Sequence, residues 1–300
     1  MTISRVQIIL LGLVAVGCLV GASQTWTVGR AAHPPAPEVL STKSIGGLND
    51  TDSMPKNYSL AFFLSPGNPF YASNLQIFER NLKRGDFLFI SGPDQRAADV
   101  IQKARDVRAH MEPGINVLSL VNFRRISDIV SKVPNLPKGL DYVMYDYEGG
   151  RGYSPEFTLD ENMSAKYFAE AEDAVHMYDN ITGGDAKLLI TPSYGQLDKA
   201  GWNWGYAASH VDAMDMQLQA FTKDPDLPKH TQNIVSQIRK VQVDNLVLIQ
   251  VSLIPSRGTV QDNVNALKSL SQIQGIDAFL IFYKNTQGKE LGQFFSMLQR

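Results

Sequence analysis

An alternation of two kinds of segment, repeated about eight times after residue 57, constrains this chain more than any other feature of its sequence. Each unit begins with a short apolar run rich in β-branched and aromatic residues, passes through a polar or Gly/Pro turn, and ends in an amphipathic segment. The runs are typical of buried strands and the amphipathic segments of helices. Strands joined through helices are normally parallel, because the connection is a right-handed crossover.

Eight such units in about 250 residues predict an α/β fold, a single closed (β/α)8 TIM barrel over residues 57–300. The predicted strands are Ser59–Leu64, Phe87–Ser91, Asn116–Val121, Tyr142–Tyr147, Lys187–Thr191, Ala213–Gln219, Leu246–Leu253 and Ala278–Tyr283. The clearest helical patterns are Arg96–His110, Ser164–Tyr178, Lys229–Val241, Val260–Ile273 and Lys289–Leu298. A doubly wound open sheet is the alternative, but no Gly-rich phosphate-binding sequence follows the first strand, which also disfavours nucleotide binding.

The residues before the barrel have the pattern of an export signal. Arg5 precedes an uncharged apolar run from Val6 to Val20, and small residues up to Ala22 have the spacing that a signal peptidase recognises. We expect cleavage after Ala22. The alternatives are that residues 1–22 remain as a membrane anchor, since the run is close to the ~20 residues that span a bilayer, or that Cys18 accepts a lipid.

Residues 23–56 are rich in Pro, Ala, Ser, Thr and Gly without periodicity, and we predict a flexible linker. The protein is therefore expected to be secreted or otherwise extracytoplasmic, with the N-terminal segment as the one candidate for membrane attachment. If the signal is removed, no cysteine is left, which excludes disulfides and thiolate metal sites.

Charge and histidine spacing limit the classes of partner. The formal net charge is -2 and the Lys and Arg residues are scattered, whereas a nucleic-acid surface needs a clustered basic patch. The five histidines show no short spacing that would place two on one helix face. We therefore expect no nucleic-acid partner, no metal and no cofactor. No Gly-x-Ser-x-Gly sequence is present, which argues against an esterase of the α/β-hydrolase type.

The fourth predicted strand, within the stretch from Gly139 to Gly150, ends in two carboxylates followed by paired glycines. Side chains alternate between the two faces of a strand, so Asp146 and Glu148 share one face with Met144. Acids at the carboxyl end of a barrel strand open into the region where TIM-barrel catalysis normally takes place. We therefore predict Glu148 and Asp146 as the catalytic pair.

This strand resembles the signature of family-18 glycoside hydrolases, the chitinases and their relatives. That family carries Asp-Gly-x-Asp-x-Asp-x-Glu on its fourth barrel strand, and this chain has Asp141-Tyr-Val-Met-Tyr-Asp-Tyr-Glu148. Asp141, Asp146 and Glu148 match the first, third and last acidic positions, whereas Met144 stands where the family has its second Asp and a Tyr stands in place of the Gly. The resemblance covers this motif and the barrel layout.

The resemblance implies definite roles. Glu148 would be the general acid that protonates the glycosidic oxygen, and Asp146 would orient a substrate acetamido group that acts as the nucleophile. The family also has a Tyr-Asp pair on its sixth strand, where Gln217 or Gln219 would have to substitute. Because Met144 removes one partner of Asp146, reduced or absent chitinase activity is expected.

Side chains from other strand ends should reach the same mouth of the barrel. They are mostly neutral donors and acceptors, which suit a polyhydroxylated, uncharged ligand. The predicted binding residues on or near the strands are Asn122, Tyr194, Asp215, Gln217, Gln219, Gln250 and Tyr283. Asp215 is also a candidate second carboxylate for a two-acid mechanism.

The loop after the fifth strand carries two tryptophans, Trp202 and Trp204. Flat aromatic faces stack on pyranose rings, so we predict that this loop forms a sugar platform. The alternative is that Trp202 packs under the loop and only Trp204 is exposed.

Together these features predict an exported glycoside hydrolase-like protein that acts on a carbohydrate ligand. The first alternative is a catalytically inactive, lectin-like barrel that binds glycan, and a third possibility is a surface component whose barrel serves assembly. The two leading hypotheses differ in whether a second group lies opposite Glu148 at a distance suited to nucleophile or base catalysis.

Overall fold

The structure, a computed structural model, describes residues 58–150, 153–284 and 286–298. Within them, eight parallel strands form a closed barrel in chain order, and the last strand pairs with the first through Ser59 to Ala61 and Ala278 to Leu280. The predicted (β/α)8 barrel is confirmed. The open sheet is wrong, because this pairing leaves no free edge. The predicted signal segment and linker lie outside the described residues.

The strands and helices alternate along the chain. The strands are β1 Ser59–Leu64, β2 Phe87–Pro93, β3 Asn116–Phe123, β4 Tyr142–Tyr145, β5 Lys187–Ile190, β6 Ala213–Gln217, β7 Leu246–Ser252 and β8 Ala278–Phe282. The α-helices of the described residues are α1 Tyr71–Asn81, α2 Ala97–His110, α3 Ile126–Lys132, α4 Glu161–Thr182, α5 Tyr194–Lys199, α6 Trp204–Ala208, α7 Leu227–Val241, α8 Val260–Leu270 and α9 Gly288–Leu298.

All eight predicted strands and all five predicted helices are present. The strand ends differ by up to two residues: β4 ends at Tyr145 and β6 at Gln217, two residues earlier than predicted. The helices that were not predicted are α1, α3, α5 and α6. In the described part of the chain, no helix is both long and apolar enough to span a bilayer.

The inside of the barrel is filled by an apolar cluster. Its buried members are Ala61, Phe89, Leu120, Tyr142, Leu189, Ala213, Leu248, Ala278 and Leu280. Side chains alternate between the two faces of each strand, so every second residue from this cluster toward the carboxyl end also points inward. Most of these further inward residues are polar. The barrel therefore has a packed floor and a polar mouth at the carboxyl end.

The outer faces of the strands pack against the helices and form the larger core. Helix α7, for example, buries Leu227, Ile234, Val235 and Ile238 on one side, a spacing that brings apolar side chains to a single face. The outward residues of β4 and of the segment after it, Tyr145 and Tyr147, are both fully buried in this core.

At the opposite end of the barrel from the mouth, an aspartate directly precedes each even-numbered strand. These strand-start aspartates are Asp86, Asp141, Asp212 and Asp277. Each carboxylate accepts a hydrogen bond from a backbone N–H of the preceding odd-numbered strand. The donors are Leu60 at 2.8 Å, Ser119 at 2.7 Å, Leu188 at 2.8 Å and Val247 at 2.7 Å, in the same order. The aspartates thus link β1 to β2, β3 to β4, β5 to β6 and β7 to β8.

Asp141, the first acid of the family-18-like motif, therefore lies far from the mouth. Its carboxylate also accepts a hydrogen bond from the hydroxyl of Ser119 at 2.8 Å and forms an ion pair with Arg108 at 3.0 Å. These contacts hold the start of β4 in register with β3.

Candidate active site at the mouth of the barrel

Beyond β4 the backbone keeps contacts with both neighbouring strands and makes a tight turn centred on Tyr147, where the N–H of Glu148 donates to the carbonyl of Asp146 at 3.2 Å. The N–H of Asp146 donates to the carbonyl of Phe123 at 2.8 Å, and the N–H of Ser193 donates to the carbonyl of Tyr147 at 3.2 Å. The side chain of Asp146 contacts Thr191 and that of Glu148 contacts Gln217, so both reach the mouth. Asp146 and Glu148 lie on the inner side, as the sequence predicts, while Tyr147 points to the helices.

The loop that follows is fixed by Ser154 and Gly149. The N–H of Ser154 donates to the carbonyl of Glu148 at 3.1 Å, the N–H of Glu148 donates to the Ser154 hydroxyl at 3.3 Å, and that hydroxyl donates to the carbonyl of Asp146. A Cβ at Gly149 would collide with Oε1 of Gln196 and lie 2.6 Å from the ring of Phe157. A larger residue at this position would require the side chains of Gln196 and Phe157 to move.

Asp146 is held by two side chains. The hydroxyl of Thr191, at the end of β5, donates to Oδ1 at 3.0 Å, and Nε of Arg124, just after β3, lies 3.4 Å from Oδ2. Burial raises the pKa of Asp146, and the contacts with Thr191 and Arg124 oppose that rise. The guanidinium of Arg124 also lies 5.6 Å from the centre of the Tyr153 ring.

Glu148 interacts with the other side of the mouth. Burial, and then the charge of Asp146, raise the pKa of Glu148, while a hydrogen bond with Gln217 and the charge of Arg124 oppose the rise. The side-chain amide of Gln217 also donates to the carbonyl of Thr191 at 3.3 Å. Gln217 thus bridges the ends of β4, β5 and β6.

Asp215 is the deepest of the three acids. It lies on β6, is only 1% exposed, and neither of its carboxylate oxygens has a hydrogen-bond partner in the described residues. Burial raises its pKa well above the ordinary value, and the charges of Asp146 and Glu148 add to this. Because a buried carboxylate without partners is costly to ionise, Asp215 favours its protonated form.

Two further predicted residues lie at the same mouth. Asn122 on β3 is beside Met144 in the strand register, and its side-chain oxygen is buried without a hydrogen-bond partner among the described residues. Gln250 on β7 is buried and is the register partner of Gln217. The predicted residues that the fold brings together are Asn122, Asp146, Glu148, Asp215, Gln217 and Gln250.

The predicted aromatic platform is wrong. Trp202 is 4% exposed and Trp204 is 1% exposed, and both belong to the outer core between strands and helices. Trp202 stacks on Tyr147 with ring centres 6.4 Å apart, and Trp204 stacks on Tyr194 at 6.0 Å. Of the alternative, the packed Trp202 is confirmed and the exposed Trp204 is wrong. Tyr194 is buried with them rather than placed in the mouth.

Tyr283 and Gln219 also differ from expectation. Tyr283 is an outward residue: its hydroxyl donates to the carbonyl of Phe63 at 2.9 Å and its ring packs edge-on against Phe62 and Phe78. Gln219 is not on β6, because the strand ends at Gln217 and residues 219–221 form a 3-10 turn.

The site also contains side chains that were not among the predicted site residues. Thr191 and Arg124 bind Asp146, and a pocket of about 300 Å³ opens at the ends of β1, β2 and β8. Their positions in the sequence could have indicated this role, because Thr191 comes directly after β5 and Arg124 directly after β3. In the described residues, no group of three or more His, Cys, Asp or Glu side chains is arranged to hold a metal ion.

The chain is similar to known proteins in its fold. No family model matches the sequence, and no curated protein sequence matches it significantly. The catalytic domain of a family GH18 chitinase from the fern Peteris ryukyuensis superposes with a TM-score of 0.51 at 11% identity, over 80% of this chain and 99% of that one. A GH18 chitinase from Pseudoalteromonas aurantia gives 0.50 at 11% identity, over 81% and 99%.

Barrels of other families also match. A mutant of xylanase A from P fluorescens subsp. cellulosa, in complex with xylopentaose, gives a TM-score of 0.50 at 7% identity, over 81% of this chain and 97% of that one. A 2,3-dimethylmalate lyase gives a TM-score of 0.48 at 8% identity, over 83% and 82%. At such low identities, the likeness establishes the TIM-barrel fold alone.

Proposed function

We propose that this protein is a glycoside hydrolase-like barrel in which Glu148 acts as general acid and Asp146 assists. The observation that carries the proposal is the group of three acids, Asp146, Glu148 and Asp215, at the carboxyl ends of β4 and β6. A general acid must hold its proton near the working pH, and burial together with a neighbouring carboxylate is the usual means of achieving this.

The neighbours of the acids support this division of roles. Asp146 is the more strongly paired, since Thr191 and Arg124 both contact its carboxylate. It therefore suits a charged group that orients or stabilises a sugar. Glu148 has the amide of Gln217 as its partner and no cation within ion-pair distance in the described residues, so its proton can be transferred. Asp215 is the candidate second carboxyl group for a two-acid mechanism, although the burial that raises its pKa opposes the ionised form that a nucleophile or base requires.

Amide side chains complete the proposed sugar site. Asn122, Gln217 and Gln250 present donors and acceptors from β3, β6 and β7. Hydroxyl groups of a glycan can both give and accept hydrogen bonds, so such a lining suits a carbohydrate ligand. The fold likeness to GH18 chitinases and to a xylanase is consistent with this class of substrate.

The test is hydrolysis of chitin and xylan oligosaccharides, with reducing-end release and binding measured on the same samples. Glu148→Gln should abolish release and retain binding, because the amide keeps the shape and loses the transferable proton. Glu170→Gln, at a partly exposed position on α4, is the matched control and should behave as the parent. Equal release by the Glu148→Gln variant and the parent would refute the proposal.

A second candidate function is glycan binding without cleavage, and Met144 favours it. Met144 packs against the apolar floor of the barrel, at the position where the family-18 signature carries an acid beside the third Asp. The carboxylate of Asp146 instead accepts a hydrogen bond from Thr191 and forms an ion pair with Arg124. Binding without release by either the parent or the Glu148→Gln variant would support this lectin-like function.

Export belongs to the same proposal. We infer from residues 1–22 that the barrel is secreted or held outside the membrane by its N-terminal segment. The mature N-terminus, determined by mass spectrometry of protein recovered from the expressing cells, tests this. A start at Ser23 supports cleavage, an intact segment in the membrane fraction supports an anchor, and an intact protein in the cytoplasm would refute export.

A further inference from the structure

A second feature of the mouth is the pocket of about 300 Å³ at the ends of β8, β1 and β2. Its walls include two rings, Phe63 and Phe282, and two hydroxyl groups, Ser65 and Ser91. Counting in twos from the barrel floor places these residues on the inner side of their strands. The pocket thus combines flat apolar surface with hydrogen-bonding groups, as sites that bind sugar rings do.

The residues that line the pocket carry a positive charge and no negative charge. Lys284 is exposed and lines the rim, and none of the lining residues is acidic. No carboxylate of the described residues lies within ion-pair distance of its ammonium group. The guanidinium of Arg96 packs against Gly67, two residues after Ser65, although Arg96 is not among the residues that line the pocket. Such a site attracts an anionic group.

The pocket faces the three acids across the mouth. In a closed barrel of eight strands in chain order, β8 lies opposite β4, and β2 lies opposite β6. With strands ~4.8 Å apart and tilted by ~36°, the barrel is about 15 Å across. A ligand of several sugar units bound at Glu148 is therefore long enough to extend across the barrel to the Lys284 pocket.

The two halves of the mouth differ in electrostatic character. On the β4 and β6 side, burial raises the pKa values of Glu148 and Asp215, and the cation on that side, Arg124, is engaged by the carboxylate of Asp146, so it is less available to a ligand anion. On the β8 and β1 side, Lys284 favours it. An anionic substituent is therefore directed to one end of a bound glycan, away from the linkage that Glu148 would protonate.

We propose that the Lys284 pocket is a subsite for an acidic sugar, one that carries a carboxylate, and that it gives the barrel a preference for acidic glycans. The ammonium group of Lys284 pairs with the carboxylate, Ser65 and Ser91 bind ring hydroxyls, and Phe63 and Phe282 cover the apolar face of the ring. The substrate class rests on the proposed function, since it assumes that the mouth binds glycan.

The experiment compares uronate oligosaccharides with their methyl esters, which have nearly the same shape and no charge. Oligomers of galacturonate, alginate fragments and hyaluronan fragments serve as probes for the full-length protein, and dissociation constants are measured by calorimetry at low and high salt. An exposed ion pair predicts that esterification of the preferred probe weakens binding about fivefold. The effect should shrink at high salt.

Three variants assign the effect to the pocket. Lys284→Met keeps the apolar stem and should remove the difference between acid and ester, while Lys284→Arg should retain it. Lys240→Met, at the far end of α7, makes the same change in net charge and should leave the difference intact. If every acid binds no better than its ester, or if Lys284→Met keeps the preference, the subsite is refuted.

The two proposals fail in different ways. Loss of the acid preference with Glu148-dependent cleavage intact would remove the subsite and leave the hydrolase. Lys284-dependent binding of uronates with no cleavage by the parent would support the subsite and remove the hydrolase in favour of a binding barrel.

Discussion

Replacing Asp86 by alanine should destabilise the barrel substantially. Asp86 is fully buried at the start of β2, where Oδ1 accepts a hydrogen bond from the N–H of Leu60 and Oδ2 accepts one from the N–H of Lys83, both at 2.8 Å. Leu60 is itself fully buried, so its N–H has no access to water once the carboxylate is removed.

The expected size follows from these two bonds. A hydrogen bond to a charged group contributes about 1.5–3 kcal/mol, and leaving a buried donor unpaired costs a similar amount. Two such bonds predict a loss of about 3–6 kcal/mol in the free energy of unfolding. For a domain of this size 1 kcal/mol corresponds to about 2–4 °C in Tm, so the Asp86→Ala variant should unfold roughly 10 °C below the parent.

Thermal unfolding followed by circular dichroism, at one scan rate for all proteins, is the assay. Asp86→Asn keeps one oxygen acceptor and should lose about half as much. Asp244→Ala, an exposed aspartate before β7, is the matched control and should change little. A fall in Tm for Asp86→Ala no larger than that of the control would refute the role of the strand-start aspartates.

Three other outcomes are expected. Burial raises the pKa of Asp215, so the folded state binds its proton more tightly than the unfolded chain. Its stabilising contribution is therefore largest below the ordinary value of 3.8 and is lost as the pH rises toward the folded pKa. Asp215→Asn should accordingly become more stable relative to the parent as the pH increases in denaturation curves, and a constant difference would contradict this. Asp146→Asn removes a charge that raises the pKa of Glu148, so any hydrolytic activity should lose its general acid at lower pH, shifting the basic limb of the pH–rate profile downward. Trp204→Ala should cost about 3–5 kcal/mol in urea denaturation, because the ring is buried in the outer core; a small change would mean that the loop repacks.

The strands were predictable because their apolar runs are both continuous and separated by clear turns. The placement of Asp146 and Glu148 at the mouth was predicted from the same periodicity, although the backbone makes a tight turn between them. Helix α1 was missed because its main buried residues are Asn74 and Phe78, so the sequence shows little apolar periodicity. Helices α5 and α6 are too short for such a pattern.

The tryptophans show where position along the chain misleads. Trp202 and Trp204 follow a strand end, which suggested the mouth, but the chain turns into two short helices that carry both rings under the outer surface. Large apolar area favours burial against Tyr147 and Phe168 over exposure. The Lys284 pocket was missed for the opposite reason, since its residues come from the two ends of the sequence and meet only when the barrel closes.

The strand-start aspartates divide the ring of strands into four pairs. Each carboxylate joins an odd-numbered strand to the even-numbered one that follows, whereas the backbone carbonyls of Asp86, Asp141 and Asp212 accept hydrogen bonds from the next odd-numbered strand. The carboxylates in different pairs share no hydrogen-bond partner, so the energetic losses from two replaced aspartates in different pairs should add. New chain termini placed between β2 and β3 should also be tolerated better than termini placed between β1 and β2. A break between β1 and β2 would separate the Asp86 carboxylate from the N–H of Leu60 that it binds.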